Sequence, residues 1–314
     1  MRQPLPSPTE QLYRHEAFLW HDRGDFLTGL MPFVEDGLDS DEPIMVAVVP
    51  EHTGWLQQAL GRRGGQVEFV DMHALGKNPA RIIPAWQHFL DRHTDDSRPV
   101  RGIGEPIWPG RRAEELAECQ LHEALLNVAV EPTVPFWLIC PYDAEELRPD
   151  VVDEAYRSHP VVVESQTQQD NTSYAGQTHV ESLFAADLSE PDQIVRPARF
   201  TAQDVGRLFT YIKLEVYVAG LSPTDAGELA TVVQRLAESS LARGASCGTV
   251  RMWRQPHAVV CEVADDAPLS DPLAGRRMPM AGEHDALWLA NQTCDLVQLR
   301  SSLTGTAVRL HRWL

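Results

Sequence analysis

Several kinds of segment are missing from these 314 residues, and each absence excludes something. No apolar run approaches the about 20 residues that a membrane-spanning helix needs. The opening MRQPLPSPTEQLYRH has no apolar core of the kind a secretory signal carries, so a cytoplasmic protein is expected. No GxxxxGK[ST] phosphate loop occurs. GIGEP (102–106) is no dinucleotide fingerprint, because no third glycine opens a following helix. Cysteine is scarce: Cys119, Cys140, Cys247, Cys261 and Cys294 include no CxxC pair. Their neighbours are apolar, as in FWLICPY and AVVCEV. They read as buried, reduced thiols, and no zinc or other metal site is expected. Positive charge is also short, with 27 basic against 45 acidic residues and a net charge of −18. Most of that excess lies before residue 165. Such a chain lacks the basic patch that direct nucleic-acid binding requires. The acidity fits solubility and leaves room for a basic protein partner.

What is present falls into two patterns. From 43 to 164, strand and helix signals alternate. IMVAVV (44–49), VEFV (67–70), VRGIGEPIW (100–108), PFWLICPYD (135–143) and VVVE (161–164) read as strands. Helices are expected after residue 50, near 79–92, over 112–129 and near 144–157. In the third of these, Leu116, Cys119, Leu121, Leu125 and Val128 recur near helical spacing. Short continuous apolar runs suit strands buried on both faces, and the alternation implies a mainly parallel sheet. SQTQQDNTSYAGQT (165–178) is polar and reads as a linker.

Beyond it, two long helices are expected over 201–219 and 224–243. Ser222 serves as N-cap of the second, with Pro223 at its first position. CGTVRMW and AVVCEVAD read as strands and ALWLANQTC as a short helix. DLVQLRSS and TAVRLHRW read as a hairpin turning at LTG. This is an α+β layer with helices on one face of a sheet.

The second pattern resembles the GHKL ATPase fold, in the branch of anti-sigma-factor serine kinases, over about 199–314. ELATVVQRLAESSLARG matches its N-box helix. CEVADDAPLSDPLAGRRMP matches the segment around its Asp-x-Gly box, and ALWLANQTCDLVQLRSSLTGTAVRLH matches the second glycine box and closing hairpin. The resemblance implies a catalytic Glu and a magnesium-binding Asn on the N-box helix. Arg235 and Ser239 stand there instead. The adenine-reading Asp survives as Asp265, but its glycine is Ala267. Where the branch has GGRG the sequence has EHDA, Glu283 to Ala286, with His284 and Asp285 inside it. Thr306 survives in the hairpin. Arg235 cannot accept a proton, and a Ser hydroxyl is a shorter and weaker magnesium ligand than an Asn amide. A degenerate nucleotide site is therefore expected at Arg235, Ser239, Asp265, Ala267, His284, Ala286 and Thr306. No ATP or magnesium is expected there, and no catalytic residue.

The first pattern resembles the MEDS sensory domain, through GLMPFVEDGLDSDEPIMVAVVP, GKNPARIIPAW, RGIGEPIW, ECQLHEALLN and CPYD. This family is similar to RecA-like α/β domains without their phosphate loop. A sensory ligand site for a small-molecule signal is expected among His15, Arg101, Glu105, Trp108, Cys140 and Tyr142. Glu105 and Trp108 follow a strand, at the edge where open α/β sheets bind ligands. Glu105 has structural alternatives: capping the next helix, or pairing with Arg101 or Arg111. HEAL (122–125) lacks a second histidine at i+4, so it is not a zincin motif.

The fold class expected is thus α/β. A RecA-like parallel-sheet sensory domain (1–165) and a linker (166–198) precede a two-layer α+β GHKL-type domain (199–314). The two resemblances together imply a non-catalytic regulator that binds a sigma factor or a STAS-type anti-anti-sigma antagonist. Two alternatives stand beside it: an active anti-sigma serine kinase, against which the N-box argues, and a sensor histidine kinase, which would need a phosphoacceptor histidine that 201–220 lacks. The former nucleotide lid would supply partner contacts through Leu273, Arg276, Arg277, Met278 and Met280. The oligomeric state stays open, a homodimer included.

Overall fold

The computed structural model describes residues 12–93, 98–164, 167–280 and 285–314. The chain divides into two compact units, Met1–His179 and Val180–Leu314.

The first unit runs β1 (Arg14–Trp20), α1 (Arg23–Asp39), β2 (Ile44–Val48), α2 (Pro50–Leu60), β3 (Glu68–Asp71), α3 (Met72–Leu75), α4 (Ile82–Asp91), β4 (Val100–Gly104), α5 (Ala113–Ala129), β5 (Phe136–Asp143), α6 (Pro149–Ser158), β6 (Val161–Glu164) and β7 (Thr167–Asp170). The strands form one sheet in the order β3-β2-β4-β5-β1-β6-β7. All neighbours pair in parallel except β6 and β7. The apolar run of β2 is buried along its whole length, as a strand covered by helices on both faces must be. The two glycines of GIGEP have a packing role. A Cβ on Gly102 or Gly104 would stand 2.9 or 3.1 Å from the Trp86 ring. Their absence of side chains lets α4 lie close against β4.

Two expectations are corrected here. The alternation does not begin at residue 43: β1 and α1 precede it, and β1 lies inside the sheet between β5 and β6. Its sequence RHEAFLW carries polar residues that an apolar-run criterion passes over, although His15 and Glu16 are buried. α1 contains Pro32, which also weakens a helix signal. The polar stretch read as a linker holds β7, paired antiparallel with β6, and α7 (Gly176–Ala185). β7 is exposed at every position because it is an edge strand, so its polarity reflects an open flank and not a missing element.

The second unit contains β8 (Ala198–Phe200), α8 (Leu208–Val218), α9 (Pro223–Ala242), β9 (Gly248–Gln255), β10 (Ala258–Asp265), α10 (Ala286–Thr293), β11 (Leu296–Ser302) and β12 (Gly305–Trp313). Its five strands form an antiparallel sheet in the order β11-β12-β10-β9-β8. The expected first helix begins later than residue 201, and Val205–Arg207 forms a tight 3-10 turn before it. Ser222 caps α9 as expected, its hydroxyl accepting from Asp225 N at 3.1 Å. Alternate strand residues such as Val259, Cys261 and Val263 meet Ile212, Leu229, Val233 and Leu287 from the helices in one core. On β10 the intervening Glu262 is buried and clamped by Arg251 at 2.6 Å and Arg309 at 2.7 Å.

Candidate functional site

Polar groups converge inside the first unit, where its helices cover the sheet. β1 and β5 run side by side, with Ala17 opposite Cys140 and His15 opposite Leu138. Period-two alternation therefore places the side chains of His15 and Cys140 on one face. α5 presents Glu123 and, one turn on, Asn127. α6 ends at Ser158, and His159 forms its C-cap. Glu123 Oε2 stands 3.2 Å from His15 Nε2 and 3.2 Å from His159 Nε2. Cys140 Sγ is 3.4 Å from His15 Nε2. The four ligand-type atoms all lie within 4.8 Å of one another, and all four residues are buried.

The surrounding hydrogen bonds determine where the imidazole protons sit. His159 Nδ1 is 2.8 Å from the Ala155 carbonyl oxygen, which can only accept, so Nδ1 carries the proton. The Asn127 amide nitrogen faces three carbonyls, nearest that of Ser158 at 2.7 Å, which fixes its orientation. Its Oδ1 then accepts from His15 Nδ1 at 3.1 Å. Each Nε2 consequently faces the same carboxylate, donating to it where the ring is protonated and turning a lone pair toward it where the ring is neutral. His159 Nε2 and Glu123 Oε1 are buried without a hydrogen-bond partner.

Burial, and then the neighbouring His159, pull His15 below the ordinary imidazole range. Burial alone would raise the Glu123 carboxyl, but the two imidazoles outweigh it and hold it below the ordinary carboxylate range. Burial and the Glu123 charge push the Cys140 thiol well up. Tyr13 and Tyr142 are raised for the same reasons and flank the rings, Tyr142 meeting His159 edge-on at 5.6 Å. Metal-bound imidazoles donate their outer nitrogens in the same way, so these four residues could hold a cation.

The profile of the MEthanogen/methylotroph, DcmR Sensory domain (MEDS) matches residues 14–160. Residues 14–160 are a MEDS domain. No curated protein matches the chain. The MEDS span opens one residue before His15 and closes one residue after His159, and so encloses the whole cluster.

The sequence-based set for the MEDS domain does not form a single site. His15, Cys140 and Tyr142 come together as described. Glu105 lies apart, after β4, and is bound by neither Arg101 nor Arg111. Its carboxylate accepts from Val49 N at 3.1 Å and meets His52 Nδ1 at 2.8 Å. Trp20, Phe26 and Trp55 surround that imidazole, with ring centroids 5.3, 4.7 and 4.5 Å away. Burial raises the Glu105 carboxyl, against the pull of His52. Arg101 projects to the opposite sheet face from Cys140. It pairs with Glu42 and donates to the Phe33 carbonyl at 2.6 Å, a tie between β4 and α1. Trp108 lies under the Arg111 guanidinium at 3.6 Å. Alternation along the strands separates these residues. Glu123, Asn127, His159 and His52 were not anticipated. The available signal was polar residues at inward positions of α5, where Glu118, His122 and Glu123 are all buried.

In the second unit, the positions assigned by resemblance to a nucleotide site are engaged internally. Asp265, at the end of β10, receives Arg243 Nη2 at 2.8 Å and Ala267 N at 2.8 Å. Thr306, opposite Asp265 in the sheet, donates to the Ala267 carbonyl at 2.7 Å. Arg235 is exposed and pairs with Glu238 at 3.2 Å. Ser239 and Arg235 line an open groove of about 680 Å³ between α9 and α10. Ala286 opens α10, whose N-terminal amides are capped by Asp285 at 2.8 and 3.2 Å. His284 lies outside the described residues.

The expected partner loop is corrected in part. Leu273 and Arg276 are buried, so they are not surface contacts. Arg277 pairs with Asp271 at 3.1 Å, while Met278 and Met280 are exposed. α8 presents a further exposed apolar row: Tyr211, Leu214, Tyr217 and Val218.

Proposed function

We propose that this chain is a cytoplasmic, non-catalytic regulator of the anti-sigma type. Its MEDS domain receives a signal, and its second unit, a degenerate GHKL-type domain, binds a sigma factor or a STAS-type antagonist. The observation that carries the reading is the engagement of Asp265 by Arg243. A buried carboxylate already held by a guanidinium is not available to read an adenine amino group. Two further features support it. The N-terminus of α10, a natural seat for phosphate, is filled by the Asp285 carboxylate. Arg235 on α9 brings no base to the groove. Helices gathered on one face of an antiparallel sheet agree with the fold that the resemblance implies, and the lack of any helix long and apolar enough to cross a membrane among the described residues agrees with the location.

The test is twofold. Purified chain, incubated with labelled ATP and magnesium, should retain no nucleotide at equilibrium and transfer no phosphate to a co-expressed STAS-type protein. Capture from the source cell should return a sigma factor or such an antagonist. Phosphate transfer above the buffer control overturns the non-catalytic reading. Capture of neither class overturns the partner.

A further inference from the structure

The buried cluster of the MEDS domain carries an inference that does not depend on the function of the second unit. His15 Nε2, His159 Nε2, Glu123 Oε2 and Cys140 Sγ point into one small volume. With the rings neutral, the outer nitrogens leave both Nε2 atoms as acceptors there, because His159 Nδ1 donates to Ala155 and His15 Nδ1 donates to Asn127. Two nitrogen lone pairs then face one carboxylate oxygen at 3.2 Å each, with the second carboxylate oxygen unpartnered. Lone pairs and a carboxylate at that separation repel one another in a buried site unless a proton or a metal cation lies between them.

We propose that His15, Glu123, Cys140 and His159 bind one divalent ion of the zinc class in a tetrahedral site of two nitrogens, one oxygen and one sulfur. The donor types suit zinc, which takes imidazole, thiolate and carboxylate together. So does the size. Bonds of about 2.0–2.3 Å place tetrahedral ligand atoms about 3.3–3.8 Å apart. The contacts at 3.2 and 3.4 Å already have that spacing, and the widest pair, within 4.8 Å, has about 1 Å to close. Charge balances as well. On binding, the Cys140 S–H bond breaks, its proton leaves to solvent, and the sulfur lone pair forms the metal bond. A dication with one thiolate and one carboxylate is then neutral, which a buried site requires. Ala155 and Asn127 supply the outer hydrogen bonds that orient metal-bound imidazoles. Four protein ligands leave no open position, so the ion ties β1, β5, α5 and the end of α6 together and performs no hydrolysis.

Cobalt(II), which reports tetrahedral geometry by its visible bands, is the probe. The full chain is stripped with chelator and titrated with cobalt, then with zinc. One equivalent should bind per chain, with intense ligand-field bands, a near-ultraviolet thiolate-to-cobalt band and displacement by zinc. Cys140→Ser should lose the thiolate band, whereas Cys247→Ser, which alters the exposed cysteine, should keep it. Asn127→Ala should weaken binding about 10–100-fold without changing the spectrum. X-ray absorption at the zinc edge of the wild-type chain should resolve one sulfur at about 2.3 Å among lighter ligands, a readout that needs no variant to fold. A folded wild-type chain that binds no cobalt or zinc overturns the proposal, and leaves protons as the cations of the cluster. A thiolate band that follows Cys247 and not Cys140 overturns it equally.

Discussion

Arg243, which follows α9, and Asp265, which ends β10, meet at 2.8 Å, with only 3% of the aspartate side chain exposed. This pair closes the position that resemblance assigns to adenine recognition. Arg243→Ala should therefore strip a buried carboxylate of its partner and lower stability by about 1–3 kcal/mol, read as a reduced midpoint in urea. It should not create ATP turnover, because Arg235 and Ser239 remain. A variant that hydrolyses ATP at a measurable rate would show that the guanidinium alone suppressed an intact site.

Limited proteolysis should open the chain between residues 186 and 197. That stretch contains no helix or strand, and Ile194 is almost fully exposed there. A protease of broad specificity such as subtilisin should cut near Ile194 before it cuts β7. The polar composition of 167–170 would suggest the reverse order. Pairing with β6 protects that backbone, and sequencing of the first fragments distinguishes the two.

The parts of the fold legible in the sequence are those where burial forces a simple pattern. IMVAV and FWLIC are strands covered on both faces, so their apolar runs name them. β1 escapes that criterion because a central strand here must also supply His15. β7 escapes it because an edge strand buries nothing. Half of the candidate cluster was legible as individual residues, His15 and Cys140. Glu123 was visible only as part of HEAL, a motif set aside for lacking a histidine at i+4. Its actual partners come from β1 and from the end of α6, a tertiary arrangement that local spacing does not encode. Arg276 looked like an anchor from its neighbours, yet it is buried, because loop composition does not reveal which side chains fold inward.

The Glu105 carboxyl titrates above the ordinary carboxylate range because burial disfavours its charge. Its folded form holds its proton at pH values where the unfolded chain has lost it. The stability this provides is present below the unfolded value and is lost as pH rises toward the folded one. Glu105→Gln removes the titrating group, so the variant should lose less stability than wild type as pH rises above the ordinary carboxylate range. Urea midpoints at several pH values check this, and parallel profiles for the two proteins would assign the pH dependence to other groups.

If the second unit binds a partner protein as proposed, two of its surfaces compete for the contact. The loop after β10 offers Met278 and Met280, but Arg276 and Leu273 are buried, and Arg277 is already paired. α8 offers more: Tyr211, Leu214, Tyr217 and Val218 are exposed along one helix, beside a groove of about 530 Å³ whose lining includes Phe209, Lys213 and Pro223. A row of aromatic and aliphatic side chains at near-helical spacing is the usual chemistry of an interface core. Leu214→Glu, which places a charge in that row, should weaken partner binding by about 2 kcal/mol or more while leaving the urea midpoint nearly unchanged, since the side chain is already in water. Arg276→Ala should do the opposite, lowering stability through a buried position with little direct effect on affinity. Calorimetric titration of both variants against the captured partner separates the cases. An unchanged dissociation constant for Leu214→Glu, together with a weakened one for a Met278→Glu and Met280→Glu double variant, would move the contact from α8 to the loop that carries those methionines.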